Sequence, residues 1–187
     1  MKKIIYICLL LFSIPLFLNA YESMHEKTPV NKIQILELPA RLALEAKTDD
    51  SYFIKDNGLF RSLFRYITKN DISMTTPVEA DINPGKMRFF VGDKDKTKNL
   101  ESNDLIKVYK VPTKMVVSVG IRGSYSEKNF SKNKIKLDTW LKKNKDYSQA
   151  GAAYAVYWNG PFIPGFLKRS EIHIPIRKQT TTSKKIK

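Results

Sequence analysis

The chain has one cysteine in 187 residues, Cys8, and two histidines, His25 and His173. A single thiol excludes an intramolecular disulfide and any cysteine-rich zinc site. The absence of histidine from residue 26 to residue 172 removes an HExxH helix from the middle of the chain. The sequence also lacks a GxSxG elbow, a phosphate-binding glycine-rich loop, zinc-finger spacing and an RNA-binding aromatic signature. Acidic residues are few, 18 against 33 Lys and Arg, for a formal charge of +15. The lysines scatter through every segment, so the charge reads as a solvated surface that favours anionic partners, with no nucleic-acid footprint.

What is present begins with Met1-Lys2-Lys3, then IIYICLLLFSIPLFL, then Leu18-Asn19-Ala20. The apolar run holds Pro15 and is shorter than the ~20 residues a spanning helix needs. It predicts a secretory signal over residues 1–20, cleaved after Ala20, and hence an exported, periplasmic or secreted protein that is not transmembrane. Cleavage also takes away the only cysteine, so the remaining chain must fold on its core alone. Residues 21–31 are polar and read as a flexible linker, 32–176 as one domain, and 177–187, RKQTTTSKKIK, as a disordered basic tail.

The domain is organised around Gly58 to Val78. Leu59, Phe60, Leu63, Phe64 and Ile67 recur at helical spacing, Asn70 and Asp71 stop the helix, and Ile72 to Val78 alternates as a strand. Ile106–Val117 aligns without gaps on Ile33–Leu44, placing Pro112 on Pro39 and Lys114 on Arg41. A second helix follows, with Ser124 and Glu127 at capping-box spacing and Phe130, Leu137, Trp140 and Leu141 as its apolar face. Each half therefore runs strand, strand, helix, strand, strand. This predicts an α+β fold: a curved eight-stranded antiparallel sheet or distorted barrel with two flanking helices, built from two pseudo-symmetric halves with a cleft between them.

ITKNDISMTTPV, with Tyr66-Ile67 before it and Met74, Thr75, Pro77 and Val78 within it, resembles the signature of the SOUL heme-binding protein family. So does the closing segment YWNGPFIPGFLKRSEIHI, with Arg169, Glu171 and Ile172. VVSVGIRGSYSE, Val116 to Glu127, is similar to the family strand that runs into its second helix. The resemblance covers roughly residues 30 to 176. It implies a distorted eight-stranded barrel with two helices, and binding of heme or a related porphyrin that the fold does not require. The chain departs from the family in Asp71, where a lysine is common, and in Ser170, where an asparagine is common. The barrel also resembles that of GyrI-like proteins, some of which hydrolyse small molecules.

Glu171 and His173 alternate with Ile172 and Ile174, so the polar pair shares one strand face and points into the cleft if the isoleucines pack under the helices. His173 is the candidate axial ligand, although one histidine without a partner does not make a metal site. Arg88 and Arg169 suit carboxylates, because a guanidinium grips them through two donors. Met74 is a soft ligand or core filler. Phe90 and Tyr157 complete the candidate binding set, and Tyr154, Trp158, Phe162 and Phe166 offer an aromatic wall for a flat ring. The expected protein is a monomeric, non-enzymatic binder of an amphipathic planar ligand, held chiefly by apolar burial and carboxylate pairing. Two other readings stand beside it: a hydrolase using Glu171, and a basic module that associates with proteins or membrane surfaces.

Overall fold

The structure, a computed structural model, describes residues 21–55 and 57–179. In chain order the elements are β1 (Glu22–Ser23), β2 (Ile33–Leu38), β3 (Arg41–Lys47), α1 (Leu59–Lys69), β4 (Thr75–Thr76), β5 (Val78–Asp81), β6 (Lys86–Phe90), β7 (Lys107–Val111), β8 (Lys114–Arg122), α2 (Glu127–Lys143), β9 (Tyr147–Gln149), β10 (Tyr154–Tyr157) and β11 (Arg169–Lys178). Eight strands form a curled antiparallel sheet in the order β2-β8-β11-β10-β5-β6-β3-β7, with β9 added beside β11. The sheet stays open at β2 and β7, so it is a half-barrel of the expected α+β class.

The sequence repeat is a symmetry of this order. β2 and β7 are the two edges, β3 and β8 lie next to them, and β5 pairs with β10 at the centre. The pseudo-twofold axis passes where Ala80 faces Ala155, one residue from the pair of Glu79 with Val156. Pro39 and Pro112 occupy the bends between β2 and β3 and between β7 and β8, where no ladder donor is needed. Both helices pack on the convex face, α1 over β3 and β6 and α2 over β8 and β11. Leu44, Phe89, Val117, Ile172 and Ile174 meet Leu63, Ile67, Phe130 and Leu137 in that core.

Three expectations about these elements need correction. In α1 the buried stripe is Leu59, Leu63, Tyr66 and Ile67; Phe60 and Phe64 lie one position beyond its edge, exposed and stacked on each other at 5.9 Å. Tyr66 can turn inward because its hydroxyl donates to the Glu101 carbonyl at 2.7 Å. The strand expected from Ile72 to Val78 breaks at Pro77, which has no N–H to continue a ladder; Thr75–Thr76 leaves the large sheet and pairs in parallel with β1. The cap of α2 is Ser126, whose hydroxyl accepts from the Asn129 N–H.

Residues 21–31 are not a free linker. They contain β1, and Thr28 within them is fully buried. Of the expected tail, Arg177 and Lys178 belong to β11 and pair with Ser148 and Tyr147; residues 180–187 and the expected signal over 1–20 lie outside the described residues. No helix among the described residues is long and apolar enough to cross a membrane.

Leu63→Ala, which empties a fully buried position in the helix–sheet core, is expected to cost about 2–5 kcal/mol in urea denaturation. Phe64→Ala, on the exposed pair, is expected to cost less than about 1 kcal/mol. Equal losses at the two positions would refute this assignment of the buried stripe.

Candidate functional site

The alternation that sends Ile172 and Ile174 to the helices sends Glu171 and His173 to the concave face. Both are interior rather than on a solvent-facing edge, because β11 lies between β8 and β10. Cross-strand pairing brings Ser118, Tyr154, Val156 and Glu79 to the same face. Its polar groups form two clusters.

The first surrounds Glu79, which has no exposed surface. Arg41 Nη2 donates to it at 2.8 Å, Lys114 Nζ at 3.3 Å and Arg88 Nη1 at 3.5 Å. Arg41 and Lys114 are the residues that the repeat superposes, and both reach Glu79, which lies one residue from the axis. Burial pushes the Glu79 pKa up, but the charges of Arg41, Lys114 and Arg88 outweigh it and hold the carboxyl down to about 2. Arg88 is also bound by Glu45 at 2.9 Å and by Asp81, and by the Tyr109 hydroxyl at 3.1 Å. The Arg41 guanidinium lies over the Phe90 ring at 3.9 Å. Burial pushes the Lys114 pKa down against the pull of Glu79.

The second cluster surrounds Glu171. Its Oε1 accepts from the Thr28 backbone at 2.9 Å and from Trp158 Nε1 at 2.7 Å. Its Oε2 is met by His173 Nε2 at 2.7 Å, Ser118 Oγ at 3.0 Å and Thr28 Oγ1 at 3.2 Å. Burial raises the Glu171 pKa, but hydrogen bonding and charge from His173, then His25 and the Thr28 N–H, hold it below the ordinary value. A carboxylate so placed fixes its neighbours and has no free lone pair for a substrate proton.

Thr28 is the anchor of a segment that runs across the concave face. Met24 packs by Phe90, and the His25 ring stands edge-on to Trp158 at 5.1 Å and 5.6 Å from the His173 ring. Gly120 is required beneath it: a Cβ there would lie 2.3 Å from the carbonyl oxygens of Thr28 and Pro29. Burial, then the adjacent His173, pushes the His25 pKa down, so its imidazole is neutral. Nδ1 lies 2.9 Å from the Glu26 carbonyl, which only accepts, so Nδ1 carries the proton and Nε2 is left with a bare lone pair.

Among the described residues the buried side-chain nitrogens and oxygens without a partner are His25 Nε2, Arg41 Nε, Arg41 Nη1 and Arg169 Nε. All four belong to the concave side. Buried groups left this way are costly, and each marks a place for a partner of the right chemistry.

The sequence-predicted residues are therefore divided. Phe90, Arg88, Arg169, Glu171 and His173 share the concave face, with Tyr154 and Trp158 beside them. Tyr157 points the other way and stacks on Tyr125 at 4.2 Å, while Met74 packs against the helix-side core. Phe162 and Phe166 are exposed on the loop after β10. His173 has both ring nitrogens engaged, Nε2 with Glu171 and Nδ1 with the Tyr154 hydroxyl at 3.2 Å, and no exposed surface, so it is a poor axial ligand. Arg88 is saturated by the protein's own carboxylates. His25, Arg41, Glu79 and Lys114 were not foreseen, although the coincidence of Lys114 with Arg41 in the repeat was a usable signal.

The SOUL heme-binding protein family model matches residues 19–175. The chain belongs to the SOUL heme-binding protein family. The match includes the segment from Tyr21 to Asn31 that folds over the concave face. No curated protein matches the chain. Among solved structures, the cryo-EM structure of the EcmrR–DNA complex in EcmrR-RPo is 14% identical with a TM-score of 0.64, over 79% of this chain and 58% of that one. The SOUL chain thus spans little more than half of that protein. The crystal structure of the EcmrR C-terminal domain is 16% identical with a TM-score of 0.59, over 79% and 98%. A hydrolase from Listeria innocua is 13% identical with a TM-score of 0.56, over 80% and 94%. These likenesses establish a GyrI-like fold.

Glu79 contributes strongly to the pH dependence of stability, alongside the lowered carboxyls of Glu171 and Asp95. The folded Glu79 pKa of about 2 lies below the ordinary 4.5, so its contribution is complete above pH 4.5 and is lost as the pH falls toward 2. That contribution is on the order of 3 kcal/mol. Denaturation across this range is expected to show the loss, and Glu79→Gln to flatten it while lowering stability at neutral pH. A wild-type curve flat from pH 5 to pH 2 would refute the ion cluster.

Proposed function

We propose that this SOUL protein binds a carboxylate-bearing amphipathic planar ligand, with heme or a related porphyrin the leading candidate, between its concave face and the segment from Met24 to Lys27. The observation that carries the reading is the set of buried, unpartnered nitrogens on that face. The donor chemistry fits the group. The neutral Nε2 of His25, with Nδ1–H on a backbone carbonyl, is the form of imidazole that ligates a metal. Trp158 supplies a flat apolar surface, and Arg41 and Arg169 supply N–H donors for acidic substituents. Heme, when bound, would supply an iron centre, which His25 would hold through Nε2. The protein's part is to enclose the ring, seat its acids and offer His25. To admit the ligand, His25 to Lys27 must lift between two fixed points, the pairing of β1 and the Met24 N–H with β4 on one side and Thr28 on Glu171 on the other.

We further propose that the chain is exported after loss of residues 1–20. The basic end, the apolar run and Ala20 support this, and N-terminal sequencing of the mature protein is expected to begin at Tyr21.

Hemin titration followed by Soret absorption tests the binding. Saturable one-to-one binding is expected, absent from an unrelated basic protein. His25→Ala is expected to change the spectrum while leaving the melting temperature near wild type. Hemin dimethyl ester, with its acids blocked, is expected to bind about 10- to 100-fold more weakly, the value of one charge-assisted hydrogen bond. Uptake equal to the basic control would overturn the porphyrin reading; an ester that binds as well as hemin would overturn the role of Arg41 and Arg169.

A further inference from the structure

The loop from Asn159 to Lys168 joins β10 to β11 and carries the most exposed large apolar side chain among the described residues. Phe162 is 97% exposed, Phe166 73%, Leu167 46% and Ile163 39%. Elsewhere such residues are exposed singly or as the Phe60–Phe64 pair; here four fall within six positions. Singly exposed apolar residues need no explanation, whereas a contiguous group calls for a partner.

The base of the loop is fixed. Arg169 N donates to Asn159 Oδ1 at 2.6 Å, Asn159 N donates to the Tyr125 hydroxyl at 2.9 Å, and Gly123 N donates to the Lys168 carbonyl at 2.9 Å. Gly165 packs so closely on Ser124 that a Cβ would lie 2.3 Å from its hydroxyl. The apolar tip is thereby held away from the core.

Around this base stand three cations. Lys168 lies over the Tyr125 ring at 4.9 Å, Lys27 over the Trp158 ring at 4.9 Å, and Arg122 is exposed at the end of β8. None of the three has a carboxylate within salt-bridge distance among the described residues. An aromatic and aliphatic tip above an unpaired basic collar matches a bilayer interface, where apolar groups enter the acyl boundary and cations meet lipid phosphates. We infer that this loop docks the protein on an anionic lipid bilayer. The chain's formal charge of +15 draws it to the same surface.

The test places an environment-sensitive fluorophore on the loop of the full chain, through Phe162→Cys in a Cys8→Ser background, with Asp104→Cys as the control position. A label at 162 reports loop insertion whether or not residues 1–20 also hold the chain to the bilayer. On phosphatidylcholine–phosphatidylserine vesicles its emission is expected to shift to the blue and to be quenched by a lipid-borne spin label. The response should be several-fold weaker on pure phosphatidylcholine and should decline as salt rises, while the label at 104 stays aqueous. A label at 162 that remains aqueous on vesicles carrying the protein overturns the inference. So does an equal response on uncharged vesicles, or a blue shift that rises with protein concentration without lipid, which would mark a protein–protein contact.

Discussion

A carboxylate with no access to water must be held by cations, and Glu79 is held by three. Removing a charge from solvent costs several kcal/mol unless geometry returns it, so Arg41, Lys114 and Arg88 are fixed where they are. Their positions in turn fix much else. Arg41 and Lys114 come from equivalent strands of the two halves and meet only if β5 and β10 pair at the centre of the sheet. The guanidinium of Arg41 stays on the Phe90 ring, and its two remaining nitrogens are left buried without a partner among the described residues.

Glu171 does for the covering segment what Glu79 does for the floor. Through Thr28 it holds residues that carry almost no apolar content against the inside of the sheet, and so brings His25 to Trp158. The segment is tied at both ends, by β1 and the Met24 N–H on β4 and by Thr28 and Asn31 on Glu171 and Gly120. His25 to Lys27 lie between these two fixed points.

The fold was legible because its signals are local and periodic. Apolar alternation, helical stripes, paired prolines and a gapless repeat each have one structural reading, and the symmetric strand order follows from them. The misses share a cause. Phe60 and Tyr66 exchanged places because an aromatic with a hydroxyl can be buried when one carbonyl 35 residues on accepts its proton, which no periodicity announces. His25 and Thr28 read as part of a linker because hydrophobic patterning sees only apolar burial, whereas their partners are Glu171, Ser118 and Trp158, 90 or more residues away. Glu79 looked like any glutamate beside an MTTPV strand. Only the coincidence of two cations in the repeat pointed to an anion between them.

The axis that relates the two halves does not relate their charges. Arg88, opposite Glu79 in one half, takes the place that His173, opposite Tyr154, takes in the other. The floor therefore runs from a guanidinium on one side to an imidazole on the other, and the cleft has polarity as well as shape. A ligand with its own twofold outline, such as the nearly symmetric macrocycle proposed above, would meet two unequal ends and be sorted into a single orientation.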